Sequence, residues 1–330
     1  MFTRILVPLD KSSLAECVLP HAVALSRRLG GRLTLLHVLE PPSNRGASRF
    51  VDALGWEIVR AEAQSYLAEQ AERLGAAGVA ADTAIVEGRP AAAIIDYGLK
   101  EQVTLLILSS HGGSGLTGWN VSSTVQKILT ACTISTLIVR AYRPAGEEGK
   151  ELEAVYRRLL VPLDGSRRAD HALAAATTLA RAYQAEVLLT HVVRRPELVQ
   201  RLPPTPDDLD LVERLVERNE AEAAKYLEQM RARLAEEGVA SRVRLLVSEN
   251  STAALHELVV AEEVDLVVLC AHGHSGSVPW PLGSSVLNMV MYGSTPLLIV
   301  QDLAPGKLQT RPDDSLGESP RRLSQAQNAA

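Results

Sequence analysis

Two short loops in this chain have the residue types that bind an anion. Ser110-His111-Gly112-x-Ser114-Gly115 and Ala271-His272-Gly273-x-Ser275-Gly276 put small residues where backbone N–H groups can approach a ligand closely. Each precedes a stretch of helical spacing, whose unpaired N–H groups and positive dipole end favour negative charge, phosphate above all. The loops are related by an offset of 161, which also carries Trp119 onto Trp280. A carboxylate recurs in the same way. Arg4-Ile5-Leu6-Val7-Pro8-Leu9-Asp10 returns as Arg158-Leu159-Leu160-Val161-Pro162-Leu163-Asp164 at an offset of 154, and that offset carries His37-Val38 onto His191-Val192. One helix terminus favours an anion by about 0.3–1 kcal/mol, and up to about 2 when partly buried. Micromolar affinity, near about −8 kcal/mol, therefore needs base and ribose contacts as well, and Asp164 is a candidate to supply one.

The elements that must position these residues are also repeated. Short Val, Ile and Leu runs without clean alternation read as strands buried on both faces, near 4–9, 32–39, 80–86, 104–109 and 135–140. Helical spacing fills the intervals near 13–29, 55–75, 90–101 and 122–131. The second copy has strands near 158–163, 185–193, 241–247, 265–270 and 296–301, with helices near 167–183, 209–237, 251–262 and 284–291. The order βαβαβαβαβ predicts an α/β protein with two doubly wound parallel five-stranded sheets. Asp10 and Asp164 follow the first strand of each copy, and the His-Gly loops follow the fourth. With strands 1 and 4 as neighbours the sheet order is 3-2-1-4-5, and both features meet at the carboxyl edge where strand order reverses.

A length of 330 residues at roughly 150 per domain also predicts two domains. The boundaries are 1–140 and 158–302, with a linker at 141–157 in which little can be buried and a disordered tail at 303–330. Segments 40–54 and 194–208 differ between the copies, and the Pro-rich stretch from Pro203 to Pro206 reads as an irregular surface loop. A net charge of −5 without a basic stripe argues against a nucleic-acid partner. No apolar run reaches the roughly 18 residues of a membrane span, and the apolar start ends at Asp10, so no membrane association is expected. Cys17, Cys132 and Cys270 do not match between copies, which fits a reducing cytoplasm.

Structural readings compete at each site. Asp10 and Asp164 could close the turn into the first helix, with Ser12 and Ser166 as N-caps. His111 and His272 could be loop hydrogen-bonders, acid/base groups or metal ligands, but no cluster of sensible spacing completes a metal site. His37 and His191 read as packing residues at strand ends, and Trp119 and Trp280 as loop anchors. Gly113-Ser114-Gly115-Leu116-Thr117-Gly118 fits G-x-G-x-x-G but follows the fourth strand, with no acidic residue about 20 positions on, so it is no dinucleotide fingerprint. A Walker A loop is absent, and Ser114, His111 and Asp10 share a sheet edge without a nucleophile elbow.

Over about 4–140 and 158–301 the chain resembles a tandem universal stress protein. That family's ATP pattern is Gly, two residues, Gly, nine residues, then Gly with Ser or Thr. Here the second copy reads Cys270-Ala271-His272-Gly273, nine residues, then Gly283-Ser284, with Cys270 in place of the first glycine. The first copy reads Ser109-Ser110-His111-Gly112, nine residues, then Ser122-Ser123, and keeps only the middle glycine. The first copy does have Gly88 after strand 3, a frequent glycine in the family, where the second has Glu249. The resemblance implies an adenine nucleotide alpha hydrolase-like fold, with the strand 5 edges Leu137-Ile138-Val139 and Leu297-Leu298-Ile299-Val300 paired in an internal pseudo-dimer. It also implies further association into a homodimer.

The ligand it implies is ATP, with or without Mg²⁺. Asp164 and Val192 would face adenine, and His272, Gly273, Ser275 and Gly276 the ribose and phosphates. Gly283, Ser284 and Ser285 would hold the phosphates, and Asp10, Val38, Gly112, Gly115, Ser122 and Ser123 are the first-copy counterparts. Binding is expected in the second copy ahead of the first, in a regulatory or protective stress role. The alternatives are a non-binding dimeric scaffold with degenerate sites, and a slow ATPase or nucleotidyl-transfer enzyme. No catalytic residue and no metal ligand are assigned.

Overall fold

A computed structural model describes residues 1–41, 53–113, 115, 121–141, 153–196, 205–273 and 282–302. The first half holds strands β1 (Arg4–Pro8), β2 (Arg32–Leu39), β3 (Ala81–Glu87), β4 (Leu105–Ser109) and β5 (Thr136–Val139). Its helices are α1 (Ser13–Glu16), α2 (Leu19–Leu29), α3 (Ala53–Ala76), α4 (Pro90–Lys100) and α5 (Ser123–Ala131). The second half has β6 (Arg158–Pro162), β7 (Glu186–Arg194), β8 (Ser241–Ser248), β9 (Leu266–Cys270) and β10 (Leu297–Val300). Between them run α6 (Ala169–Tyr183), α7 (Pro206–Glu236), α8 (Ser251–Ala261) and α9 (Ser284–Tyr292). One helix expected over 13–29 is two. Pro20 falls in the first turn of α2, where its missing N–H costs nothing, but inside a continuous helix it would remove a bond and clash with the preceding turn. Ala174 occupies the matching position of the second copy, and α6 runs through it unbroken.

The sheet order is β3-β2-β1-β4-β5-β10-β9-β6-β7-β8. Each half has the order 3-2-1-4-5 with parallel neighbours, and β1 pairs with β4 through Ile5↔Leu105 and Leu6↔Leu106. The halves meet antiparallel at β5 and β10, in the register Leu297↔Ile138, Leu298↔Leu137 and Ile299↔Thr136. The two five-stranded sheets are thus one ten-stranded sheet, and the pairing leaves neither fifth strand as an open edge. Both faces are covered. Along β4, Leu105 and Ile107 enter the core beneath α2 and α6, while Leu106 and Leu108 enter the opposite core with α5 and α9. Burial on both faces is why these strands read as continuous apolar runs, each large aliphatic side chain contributing roughly 1.5–3 kcal/mol.

Two crossed contacts fasten the join. Arg140, just past β5, donates from Nη1 to the Val290 carbonyl (2.9 Å), from Nη2 to Met289 (2.8 Å) and from Nε to Thr295 (3.5 Å), closing the C-terminal end of α9 in the other half. Gln301, its counterpart at an offset of 161, donates from Nε2 to the Cys132 carbonyl (3.2 Å) at the end of α5. A Cβ on Gly293 would lie 2.6 Å from the Met289 carbonyl oxygen and 3.1 Å from an Arg140 nitrogen, so the bare glycine leaves room for the bond between them. Burial lowers the Arg140 pKa to about 10, which leaves it charged at neutral pH. Arg140→Met keeps the stem and removes every donor. Leaving buried carbonyls unsatisfied should lower the unfolding free energy by about 1–3 kcal/mol, against about 0.5–1.5 for Gln301→Leu. Urea midpoints of the two variants check this, and equal shifts would contradict the ranking.

The expectation of an unburied linker at 141–157 fails at its end. Tyr156 is 1% exposed, and its hydroxyl lies 2.6 Å from His21 Nδ1 on α2. Its ring meets Tyr183 of α6 edge-on at 5.0 Å, the Ala154 N–H donates to the Pro20 carbonyl, and Glu153 pairs with Arg27 and Arg28. Residues 142–152 and the tail at 303–330 lie outside the described residues. No helix among the described residues is long and apolar enough to cross a membrane.

Candidate functional site

At the carboxyl edge of each half, the tips of the first and fourth strands part and leave a cavity. The first, of about 300 Å³, is lined by Asp10, Leu36, Val38, Glu40, Ile94, His111, Gly112, Ser122 and Ser123 among others. The second, of about 350 Å³, is lined by Asp164, Thr190, Val192, Leu255, Cys270, His272, Gly273, Gly283, Ser284 and Ser285 among others. Both are in the size range of small-molecule sites. The repeated residues therefore converge, and they do so twice.

The carboxylates span the cleft. Asp10 Oδ1 accepts from the Ser12 N–H (3.0 Å) and hydroxyl (2.5 Å), while Oδ2 accepts from the Gly113 N–H (2.5 Å) on the opposite loop. Asp164 Oδ1 likewise accepts from the Ser166 N–H at 3.0 Å. Ser12 caps α1 by accepting from Ala15, and Ser166 accepts from Ala169, so turn closure and cleft lining coexist in each aspartate loop. A Cβ on Gly112 would fall on the Asp10 carboxylate, and one on Gly273 on the Asp164 carboxylate. Glycine at these two positions is demanded by contact across the cleft, because the backbone of the fourth-strand loop passes against the acid.

The phosphate ends differ. In both halves the chain re-enters the sheet edge by the same bond, Ser122 N–H to the Ser110 carbonyl (2.7 Å) and Gly283 N–H to that of Ala271 (2.8 Å). Ser122 then caps α5, its hydroxyl accepting from the Val125 N–H at 3.3 Å. Gly283 starts α9 with no side-chain cap, so no hydroxyl of its own occupies the first-turn amides. A Cβ there would lie 3.5 Å from the Ala271 carbonyl oxygen and 3.9 Å from the Gly273 nitrogen. A methyl fits there, but a branched side chain would intrude on the loop.

Cys270 does not plug the second cavity, which is the larger of the two with the thiol in its wall. Burial pushes that thiol up to about 11, so it is a neutral wall group at physiological pH. His272 lines the cavity but is 5% exposed, with Nδ1 2.6 Å from Asp302 Oδ1, and Arg168 Nη1 holds the other carboxylate oxygen at 3.3 Å. Asp302 thus ties the β9 loop to the β6 loop. His111 takes Ser110 Oγ at 3.1 Å instead, and the same hydroxyl accepts from the Ala141 N–H, so Ser110 and Asp302 do equivalent bracing in the two halves. His37 and His191 are both 2.7 Å from a carbonyl, those of Leu9 and Leu163, and fix the first-strand tips to the second strands.

Several expectations move. Gly115 takes φ +78° and donates to the Gly112 carbonyl, so it shapes the loop without lining the cavity. Gly88 and Glu249 line neither cavity. Ser275, Gly276, Ser114, Trp119 and Trp280 lie outside the described residues. Among the described residues no group of three or more His, Cys, Asp or Glu could hold a metal ion. Sequence reasoning missed the helix walls, Ile94 of α4 and Leu255 of α8. Their offset of 161 was a usable signal, but they resemble any apolar helix position.

The universal stress protein family model matches residues 1–140 and 155–301. Universal stress protein YxiE of Bacillus subtilis strain 168 is 30% identical over 149 residues, covering 42% of this chain and 100% of the relative. A universal stress protein encoded in the QAH/OAS sulfhydrylase 3' region of Thermus aquaticus is 30% identical over 142 residues, again 42% of this chain and 100% of the relative. The crystal structure of a universal stress protein from Archaeoglobus fulgidus DSM 4304 aligns with a TM-score of 0.64 at 18% identity. It covers 91% of this chain and 99% of that one, a likeness of fold.

Proposed function

We propose, because the chain belongs to the universal stress protein family, that it is an adenine-nucleotide-binding stress protein with a regulatory or protective role. Its second half binds ATP. One observation carries the reading: the first turn of α9, which Gly283 leaves without a side-chain cap of its own, faces a cavity of about 350 Å³ whose other rim is Asp164, set against Gly273. An anion at that helix end gains dipole and N–H interactions, and the apolar wall of Val192 and Leu255 suits a base. Asp164 would accept hydrogen bonds from the adenine end, and Gly273, Gly283, Ser284 and Ser285 would meet ribose and phosphates. Any Mg²⁺ would arrive on the triphosphate. The three cysteines are free thiols, which supports a cytoplasmic location, and a homodimer of the two-half unit completes the proposal.

Isothermal titration tests it. The parent protein should take up ATP, and Asp164→Ala should bind it about 10- to 150-fold more weakly, the value of about 1.5–3 kcal/mol for a hydrogen bond to a charged group. No heat from the parent up to millimolar ATP would favour a scaffold with degenerate sites.

A further inference from the structure

The geometry points to a division of ligands: the first cavity is a site for an uncharged purine nucleoside and excludes a triphosphate, with Glu40 and Ser122 setting the difference. This rests on the proposed nucleotide site of the second half, and the two cavities can be compared residue by residue. The base end is the same in both. Asp10 and Asp164 sit against glycine, Val38 and Val192 line the wall, and His37 and His191 brace the first-strand tip at an identical 2.7 Å.

The phosphate end is not the same. In the first half the Ser122 hydroxyl already accepts from the first turn of α5, through Val125, so that helix start is closed by its own residue. Glu40, just past β2, adds a carboxylate to the wall, where the second half has Arg194 at the matching position and, among the described residues, no acid besides Asp164 in its wall. A triphosphate would thus meet an occupied helix end and a like charge. A nucleoside meets neither of these as a penalty. Its ribose hydroxyls are donors, and Glu40 and Ser122 offer acceptor oxygens in the cavity wall.

Equilibrium dialysis with ATP and with adenosine separates the cavities. The parent should bind one ATP and two adenosines per chain. Gly273→Ala, which crowds the second cavity, should leave one adenosine and no ATP, whereas Gly112→Ala should leave one of each. Adding Glu40→Gln and Ser122→Gly to Gly273→Ala should restore ATP binding, at least 10-fold tighter than in Gly273→Ala alone. Glu40→Gln without the serine change, an exposed substitution, should recover a several-fold part of that gain should α5 not tolerate glycine. Two ATP per parent chain, or no adenosine bound by Gly273→Ala, overturns this inference while leaving ATP binding by the second half intact. Absence of ATP binding by the parent overturns the functional proposal itself.

Discussion

Gly273→Ala is expected to lower ATP affinity at least about 100-fold, near about 2.7 kcal/mol, while leaving the fold in place. The added Cβ would fall on the Asp164 carboxylate, which is itself held by the Ser166 N–H at 3.0 Å. Something must shift. Either the carboxylate swings out and leaves the base end, or the loop backs away and withdraws its backbone from the phosphates, and both routes lose ligand contacts. The clash can be separated from the binding loss with a second substitution. Gly273→Ala combined with Asp164→Ala removes the crowding and should recover thermal stability, yet it should not recover affinity, because the acid is gone. Titration and thermal melts of the three variants check this, and full affinity in Gly273→Ala would mean that the cleft does not hold the ligand between these two groups.

Tyr156→Ala is expected to cost about 3–5 kcal/mol of stability, as for other large aromatic side chains deleted from a core. Tyr156 is 1% exposed, hydrogen-bonded to His21 and set edge-on against Tyr183, so the substitution opens a void between α2 of one half and α6 of the other. Tyr156→Phe removes only the hydroxyl and its bond to His21 and should cost about 0.5–1.5 kcal/mol. The phenol also carries a pH signature. Burial holds its folded-state pKa well above 10, so the folded chain keeps the proton where the unfolded chain loses it. Its contribution is fully present below the unfolded value of about 10 and is lost as pH rises beyond it, a component the Phe variant should lack. Urea denaturation measures these terms. A loss below about 1 kcal/mol for Tyr156→Ala would show that the 153–157 segment is a tether without packing value.

The strands and their order were legible because strands buried on both faces leave a plain apolar signature. Leu105, Leu106 and Ile107 are all near 0% exposed, yet they feed two different cores. The meeting of Asp10 with Gly112, and of Asp164 with Gly273, was legible from repetition combined with the rule that parallel strands gather their carboxyl-end loops. What escaped was non-local. Tyr156 stands in a run of charges and glycines, and its receptor exists only once α2 and α6 of different halves come together. Asp302 lies 30 residues from His272, and nothing in its neighbours marks it as the brace of the site loop. Arg140 and Gln301 follow their strands like any polar end residue, and only the antiparallel join of β5 and β10 brings each to the opposite helix terminus. Gly115 is a different case: its composition suggested ligand contact, and its positive φ gives the glycine a reason in loop shape.

The central claim is that a carboxylate and a bare backbone bend close around an adenosine phosphate in the second half. Native mass spectrometry of the intact chain in the presence of ATP tests it most directly, with Gly273→Ala measured alongside. The parent should gain the mass of one ATP per chain and the variant should remain unliganded. A parent chain that stays free of nucleotide at millimolar ATP, or a variant that carries as much as the parent, would contradict the account.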